Sequence, residues 1–265
     1  MSRNTATVLM IGDVVGAPGL RALYALLPSL IRRHDADLVV ANGENALAGF
    51  GIGADEIAAM HSYGVQVITT GNHVWERKDA PDLLEREQYV LRPANYPRGL
   101  PGRGMVQVQG RHHEWIVINL QGRRELYDID CPFAAADALL QAAQKQHPHA
   151  IPVVDFHAEL AQEKEALAWH LDGRVAVVAG THTHVPTADE RILPQGTGYL
   201  SDIGMTGPID SVIGMKVDTC IRRFLTQIPF KMEIAEGDAV LMGAAFTIDV
   251  ETRRCVAIQR IFETL

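Results

Sequence analysis

Five hydrophobic runs recur along the chain, and each run ends in polar side chains. The runs are 7–13 (TVLMIGD), 38–45 (LVVANGEN), 65–73 (VQVITTGNH), 151–157 (IPVVDFH) and 175–184 (VAVVAGTHTH). Continuous runs rich in Val and Ile predict strands that are buried on both faces. The polar endings contribute Asp13, Glu44, Asn45, Asn72, His73, His157, His182 and His184. We therefore expect one edge of a sheet to gather metal-type ligands, as in a metal-dependent hydrolase.

Helical spacing of apolar residues alternates with these runs. It predicts helices at 54–63, 79–88, 133–146 and 162–170, and a first helix whose apolar pattern extends over 20–31. Pro18, just before that pattern, suits the start of the first helix, and Pro28 within it predicts a kink. Further strands are predicted at 105–108, 115–120, 237–249 and 252–262, whereas the glycine-rich block 196–214 is predicted to be a loop. The alternation predicts a single α/β domain over residues 1–265, with a mixed sheet or two packed sheets between helices. Ligands of such folds bind beyond the carboxyl ends of the strands.

Composition and charge narrow the classes of function. Hydrophobic residues make up 47% of the chain and charged residues 21%, a balance typical of a globular protein. The net charge of −8 disfavours a nucleic-acid-binding surface, which needs clustered Lys and Arg. No run reaches transmembrane length, and the first residues lack a signal-peptide pattern. Three scattered cysteines, at 131, 220 and 255, favour a reduced cytoplasmic protein.

Each polar ending also has an ordinary structural interpretation. Asp13 is a metal ligand or the cap of the following helix. Glu44 and Asn45 lie in a glycine-rich turn that either aims them into a site or is merely a turn. Asn72 offers a neutral oxygen, and the adjacent His73 is a ligand, an acid near neutral pH or a hydrogen-bonded turn residue.

The histidines divide into two groups. A lone His such as His157 after a buried strand is more often structural than a ligand. In the GTHTH segment, an extended backbone would place His182 and His184 on one face, where they serve one metal ion or two neighbouring ions. The other histidines lie in polar or helical contexts and are assigned to the surface: His34, His61, His112, His113, His147, His149 and His170.

Together these segments resemble the YmdB-like branch of the calcineurin-like metallophosphoesterases. The matching segments are GDVVGAPG, ANGENA, TTGNHVW, DFHAE, GTHTHVPTAD and DIGMTGPIDSVIGM, which extend from Gly12 to about Met215. GNH and GxHxH endings belong to the whole superfamily, whereas GEN and GMTGPIDSVIGM are particular to this branch. Val15 stands where the superfamily has the histidine of its DxH motif, and Pro186 stands where the family commonly has Gln.

The resemblance implies a four-layer α/β/β/α sandwich with a dinuclear metal site. By this resemblance Asp13, Glu44, Asn45 and His184 hold one ion. Glu44, Asn72, His157 and His182 hold the other, so Glu44 bridges the two ions. His73 is then the residue that faces the substrate and is not a ligand. The ions implied are iron or manganese, with zinc as an alternative.

The resemblance further implies a phosphodiesterase that hydrolyses 2′,3′-cyclic nucleotides or related small phosphodiesters through a metal-bound hydroxide. It also implies that a homo-oligomer is possible. Run length and net charge, and not the resemblance, predict no membrane or sequence-specific nucleic-acid partner. Two alternatives stay open: a phosphomonoesterase or nucleotidase that uses the same ions, and a metal-binding regulatory protein with little catalysis. The block 196–214 is either a wall of the substrate cleft or a loop packed for stability or subunit contact.

Overall fold

The structure is a computed structural model that describes residues 4–265, which form strands and helices in mixed order. The strands are β1 (Thr5–Ile11), β2 (Asp13–Val14), β3 (Leu38–Asn42), β4 (Val67–Thr69), β5 (Met105–Gln109), β6 (Glu114–Gln121), β7 (Ile151–His157), β8 (Val177–Thr181), β9 (Arg191–Ile192), β10 (Gly198–Leu200), β11 (Met205–Pro208), β12 (Ala239–Asp249) and β13 (Arg254–Thr264). The helices are α1 (Gly16–Arg33), α2 (Ala54–Ser62), α3 (Ala80–Arg86), α4 (Pro132–Gln146), α5 (Ala161–Leu171) and α6 (Val217–Thr226).

The strands form two sheets. The first has the order β2-β11-β12-β1-β3-β4, with β13 also paired to β12, and β1, β3 and β4 are parallel. The second has the order β5-β6-β7-β8-β10-β9, and β6, β7, β8 and β10 are parallel. Both sheets therefore present the carboxyl ends of parallel strands.

Side-chain alternation along the strands builds the layers. In β1, Val8 and Met10 enter the apolar core between the two sheets, whereas Leu9 and Ile11 pack on the opposite face against α1. A third apolar core lies between the outer face of the second sheet and α4 and α5, where Phe156 contacts the group that includes Leu167. Helix, sheet, sheet and helix thus follow one another, which confirms the predicted four-layer α/β/β/α sandwich.

The chain passes between the sheets through a short connection, residues 201–204, which we call the crossover. It leaves β10 in the second sheet and enters β11 in the first. It runs so close to two strand ends that side chains are excluded there. A Cβ at Gly180 would lie 1.8 Å from the Ser201 carbonyl oxygen, and a Cβ at Gly12 would lie 2.0 Å from that of Gly204.

The C-terminal third differs from the prediction. The block 196–214 is not simply a loop, because it contains β10 and β11, and β9 and α6 were not predicted. These strands have only two to four residues, so sheet pairing and not local pattern specifies them. Helix α6 leaves apolar residues in solvent, with Phe224 73% and Leu225 80% exposed. Among residues 4–265, none of the helices combines the length and the apolar character needed to cross a membrane.

Candidate metal centre

The predicted site residues meet between the two sheets, at the carboxyl ends of the strands. Glu44 and Asn45 follow β3, and Asn72 and His73 follow β4. His157 ends β7, and the HTH segment follows β8. Asp13 departs from the pattern, because β1 ends at Ile11 and Asp13 begins the short strand β2, which pairs with β11.

Four donor side chains converge on one point, and we call them the His157 set: Glu44, Asn72, His157 and His182. The Nε2 atom of His157 lies 3.0 Å from Glu44 Oε1, 3.0 Å from Asn72 Oδ1 and 3.0 Å from His182 Nδ1. A single N–H at His157 Nε2 satisfies only one of three such neighbours. A cation among the four atoms would satisfy all of them, since two donors about 2.1 Å from one ion lie roughly 3.0–3.5 Å apart.

Burial and charge set the protonation of this cluster in the absence of an ion. Burial alone would raise the pKa of Glu44, but the charge and hydrogen bond of His157 outweigh it and hold the value at about 2. Burial alone would lower the pKa of His157, but Glu44 and Asp13 raise it to about 9. Burial and the neighbouring His157 lower the pKa of His182 to about 3, so His182 is neutral at pH 7.

A buried hydroxyl orients His157. Thr181 Oγ1 donates to Asp155 Oδ1 at 2.7 Å and therefore accepts from His157 Nδ1 at 3.0 Å. This leaves the Nε2 atom of His157 to face the rest of its set, an arrangement that metal-bound histidines commonly need. Burial raises the pKa of Asp155 to about 6.

The other predicted ligands are Asp13, Asn45 and His184, which we call the Asp13 set. Asp13 Oδ1 lies 3.8 Å from His184 Nε2. The Oδ1 atoms of Asp13 and Asn45 are both buried without a hydrogen-bond partner among the described residues, which is unusual for polar atoms and suits ligands of a cation. Burial raises the pKa of Asp13. Asp13 does not cap α1, because the residue at that cap is Val15 and no side chain bonds there.

The HTH segment is not extended, so the argument that one face carries both imidazoles is wrong. Strand β8 ends at Thr181, and both histidines have positive φ, 101° at His182 and 65° at His184. The two rings consequently diverge into different sets. His184 Nδ1 donates to the Ile213 carbonyl at 2.9 Å, which leaves its Nε2 toward Asp13.

His73 lies beside both sets and belongs to neither. Its backbone N–H donates to Glu44 Oε2 at 3.0 Å, and its Nδ1 lies 3.2 Å from Glu76 Oε1. Because a carboxylate only accepts, Nδ1 carries the proton and Nε2 is free for other contacts. The ring packs edge to face against Phe50 at a centroid distance of 5.0 Å and is partly open to solvent.

Sequence reasoning missed the residues that hold the HTH segment. Asp202 Oδ2, on the crossover, accepts from the backbone N–H of Thr183 at 3.1 Å and from its hydroxyl at 2.8 Å. The same oxygen pairs with buried Lys164 at 2.8 Å. Asp202 lies in the DIGMTG segment that contributed to the family resemblance, but no periodicity linked it to the histidines.

The seven histidines assigned to the surface stay outside the centre. All of them are exposed or half-buried, and those with recorded partners contact groups remote from both sets. For example, His147 pairs with Glu114 at 2.8 Å and His170 with Asp137 at 2.9 Å. Their positions agree with the surface assignment except at His113, whose Nδ1 atom is buried 3.5 Å from Oδ2 of buried Asp37.

The two packed sheets and the donor residues at their strand ends identify the fold as that of the calcineurin-like metallophosphoesterases. The model of the YmdB-like protein family matches residues 9–261, and the chain belongs to that family. A 2′,3′-cyclic-nucleotide 2′-phosphodiesterase of Bacillus subtilis (strain 168) is 44% identical over 254 residues, which cover 96% of each chain.

Two solved structures share the fold over nearly their whole length. A hypothetical protein from Thermus thermophilus superposes with a TM-score of 0.90 at 41% identity, covering 97% of this chain and 99% of that one. A novel phosphatase of Mycoplasma pneumoniae superposes with a TM-score of 0.90 at 32% identity, covering 98% of this chain and 94% of that one. These likenesses confirm the family and fold that the motifs indicate.

Proposed function

We propose that the protein is a dinuclear-metal-dependent phosphodiesterase that acts on 2′,3′-cyclic nucleotides or related small phosphodiesters. The observation that carries this proposal is the convergence of three donor atoms on a fourth, His157 Nε2, together with the buried oxygens of Asp13 and Asn45 that have no hydrogen-bond partner. The substrate class is supported by the Bacillus subtilis relative, whose name specifies that activity.

The two sets would hold the two ions, with Glu44 between them. Glu44 Oε1 belongs to the His157 set, and its charge also acts on Asp13, as a shared carboxylate requires. The donors are nitrogen and oxygen without a thiolate, which suits manganese, iron or zinc. The family resemblance favours iron or manganese. When bound, such ions supply Lewis-acid charge and a water activated near neutral pH.

His73 would act directly on the substrate. The Glu76 carboxylate contacts Nδ1 and the Phe50 ring packs against the imidazole, which leaves Nε2 for the substrate. As the imidazolium, with a proton on each ring nitrogen, His73 can balance charge on the phosphoryl oxygens or give the Nε2 proton to the departing alkoxide. The His73 backbone N–H donates to Glu44, which keeps the ring next to the proposed metal ligands. The loop after β4 would therefore supply both a metal ligand, Asn72, and the proton donor, His73.

The His73→Ala variant tests this function. We expect it to bind the ions normally but to lose on the order of a hundredfold in turnover of a chromogenic bis-phosphodiester. Metal content per chain and steady-state kinetics are the measurements, and His147→Ala, a surface histidine, is the matched control. Normal turnover in a metal-loaded His73→Ala protein would contradict the role of His73.

Chelation separates the enzyme from a regulatory metal-binding protein. After chelation, added Mn²⁺ should restore hydrolysis of 2′,3′-cyclic nucleotides. A protein that regains the metal but shows no metal-dependent hydrolysis is a binding module, and the proposed function then fails. The homo-oligomer that the resemblance implies stays a prediction.

A second candidate is a phosphomonoesterase that uses the same centre. It is favoured by one observation, the description of the Mycoplasma pneumoniae structure as a phosphatase. Rates for a monoester and a diester of the same alcohol, measured side by side with the metal-loaded protein, decide between the two. A higher kcat/KM for the diester supports the phosphodiesterase.

A further inference from the structure

The second ring nitrogen of His182 faces the carboxylate of Glu159, the last residue of the DFHAE segment, to which neither the resemblance nor the proposed mechanism gives a role. Glu159 Oε2 lies 3.0 Å from His182 Nε2. The opposite nitrogen, Nδ1, lies 3.0 Å from His157 Nε2 within the His157 set. The imidazole therefore spans from the centre to Glu159.

This contact decides which nitrogen of His182 carries the proton. A neutral imidazole has one N–H and one lone pair, and an ionised carboxylate only accepts hydrogen bonds. The proton therefore lies on Nε2, which donates to Glu159. The lone pair lies on Nδ1 and points to the neighbours that converge on His157 Nε2, which is the form that a metal ion binds.

Chain connectivity gives Glu159 a fixed place beside the centre. It follows His157 by two residues, and the intervening Ala158 donates its N–H to the Thr181 carbonyl at 3.4 Å. The end of β7 thus contributes one ring of the His157 set directly and a partner for a second ring. Within residues 4–265, the Glu159 carboxylate has no other recorded ion pair or hydrogen bond.

His182 needs such a partner more than His157 does. It has a left-handed backbone conformation with φ of 101°, beyond the end of β8, and its side chain is 18% exposed. His157 lies inside a strand and is completely buried, with Thr181 on its Nδ1. Without a partner at Nε2, the His182 ring is free to take the other tautomer or to turn.

We propose that Glu159 is a positioning residue that holds His182 in its metal-binding tautomer and orientation. The proposal rests on the proposed function only in taking the His157 set as a metal site. Partners of this kind typically change metal affinity by about 10–100-fold when they are removed.

Two substitutions at Glu159 and one control test it. Glu159→Leu removes the acceptor, whereas Glu159→Gln keeps an amide oxygen that accepts from Nε2. Glu165→Leu is the control, because Glu165 is an exposed carboxylate on α5 that pairs with Arg191. Affinity for Mn²⁺ is measured without substrate, by competition with a chromogenic chelator, and thermal unfolding of the metal-free proteins is recorded alongside.

We expect Glu159→Leu to weaken one of two Mn²⁺ sites by about 10–100-fold. Glu159→Gln should recover most of that loss, and Glu165→Leu should bind as the wild type does. A purely structural role would lower the unfolding temperature of the metal-free Leu variant without a selective change in affinity. Unchanged Mn²⁺ binding in Glu159→Leu, or a Gln variant no better than Leu, overturns the proposal.

The design also separates this inference from the proposed function. If the wild-type protein binds Mn²⁺ but hydrolyses no phosphodiester, the proposed function fails, and the affinity comparison still decides the role of Glu159. If the Glu159 variants bind normally while the wild type is an active phosphodiesterase, only this inference fails. A wild-type protein that binds no Mn²⁺ overturns both.

Discussion

The His157 set and the Asp13 set differ in how far their donor atoms are paired with other protein atoms. In the His157 set, the donor atoms already contact one another at 3.0 Å, and His157 and Glu44 carry opposite charges. In the Asp13 set, Asp13 Oδ1 and His184 Nε2 are 3.8 Å apart, and two buried oxygens have no partner. The donors of the His157 set therefore pair partly with one another, whereas the Oδ1 atoms of Asp13 and Asn45 have no hydrogen-bond partner among the described residues.

If the two sets hold cations as proposed, the two binding events differ. An ion entering the His157 set has to replace the proton that the raised pKa of His157 favours. An ion entering the Asp13 set meets oxygens whose unmet hydrogen bonds cost about 1–3 kcal/mol each. We therefore expect release of the His157 proton to accompany ion binding in the His157 set.

The largest expected difference between the two sets is in the stability of the metal-free protein after one histidine of each set is replaced by alanine. In metal-free protein, His157→Ala leaves buried Glu44 without its counter-charge, which costs about 3–5 kcal/mol. His184→Ala loses one hydrogen bond to Ile213, worth about 1 kcal/mol. Thermal unfolding under chelation should then show a fall in Tm of about 6–20 °C for the first and about 2–4 °C for the second.

Both variants should lose hydrolysis of the phosphodiester, because each lacks a proposed ligand. The contrast is therefore confined to the metal-free stability and does not depend on which ion is native. Equal falls in Tm for the two variants would show that the His157–Glu44 pair does not stabilise the metal-free fold.

The pH dependence of metal-free stability gives a smaller effect. The pKa of His157 is about 9, above its ordinary 6.5, so its contribution is complete below pH 6.5 and is lost as the pH rises through 9. Asp155, with a pKa of about 6, titrates below this window. Under chelation, we expect Tm to fall on the order of 5 °C between pH 6.5 and 9.

Two comparisons check that His157 causes this slope. His157→Asn should flatten it, whereas a change at surface residue His147 should leave it intact. Saturating Mn²⁺ should remove or reverse it, since the ligands bind in their deprotonated forms. A slope that survives in His157→Asn would assign the titration to another group.

The smallest predicted effects concern the groups that orient one ring in each set. Thr181→Val removes the hydroxyl that accepts from His157 Nδ1. Gly214→Ala, at φ of 99°, places a Cβ 2.8 Å from Val15 Cγ1 and so displaces the neighbouring Ile213 carbonyl, which holds His184. Each substitution should weaken the binding affinity for one of the two ions by about tenfold. Calorimetric titration should assign the losses to different sites, and the same site affected in both variants would contradict the division into two sets.

Much of the fold was predictable from local pattern. The runs ending at residues 45, 73 and 157 each contain a buried strand, because continuous β-branched segments have few other stable places in a layered fold. Parallel strands align their carboxyl ends, so the polar endings within each sheet lie together. The prediction of a single sheet edge was wrong, because β3 and β4 belong to one sheet and β7 and β8 to the other. The branch motifs then indicated the family and the four layers, which sequence periodicity alone left open between one sheet and two.

The parts that depend on distant contacts were not predictable. The HTH segment turns through two positive-φ residues and is held by distant groups: Asp202, from the crossover, binds Thr183, and Asp13 Oδ2 accepts from the His182 N–H at 3.2 Å. Lys164 has the sequence context of a surface residue on an amphipathic helix, yet it is buried against that same carboxylate. Helix α6 has its apolar residues in solvent, so the ordinary link between apolar spacing and burial does not hold there.

The position of β1 has a consequence for the timing of assembly. This strand pairs with β3 on one side and with β12 on the other, and residues 12–238 separate it from β12. A ribosome that adds about 5–20 residues per second needs roughly 10–45 s to cover that distance. Every proposed ligand, from Asp13 to His184, emerges before the strand that completes the sheet beside Asp13. The centre is therefore finished late in synthesis, after all of its donors have left the ribosome.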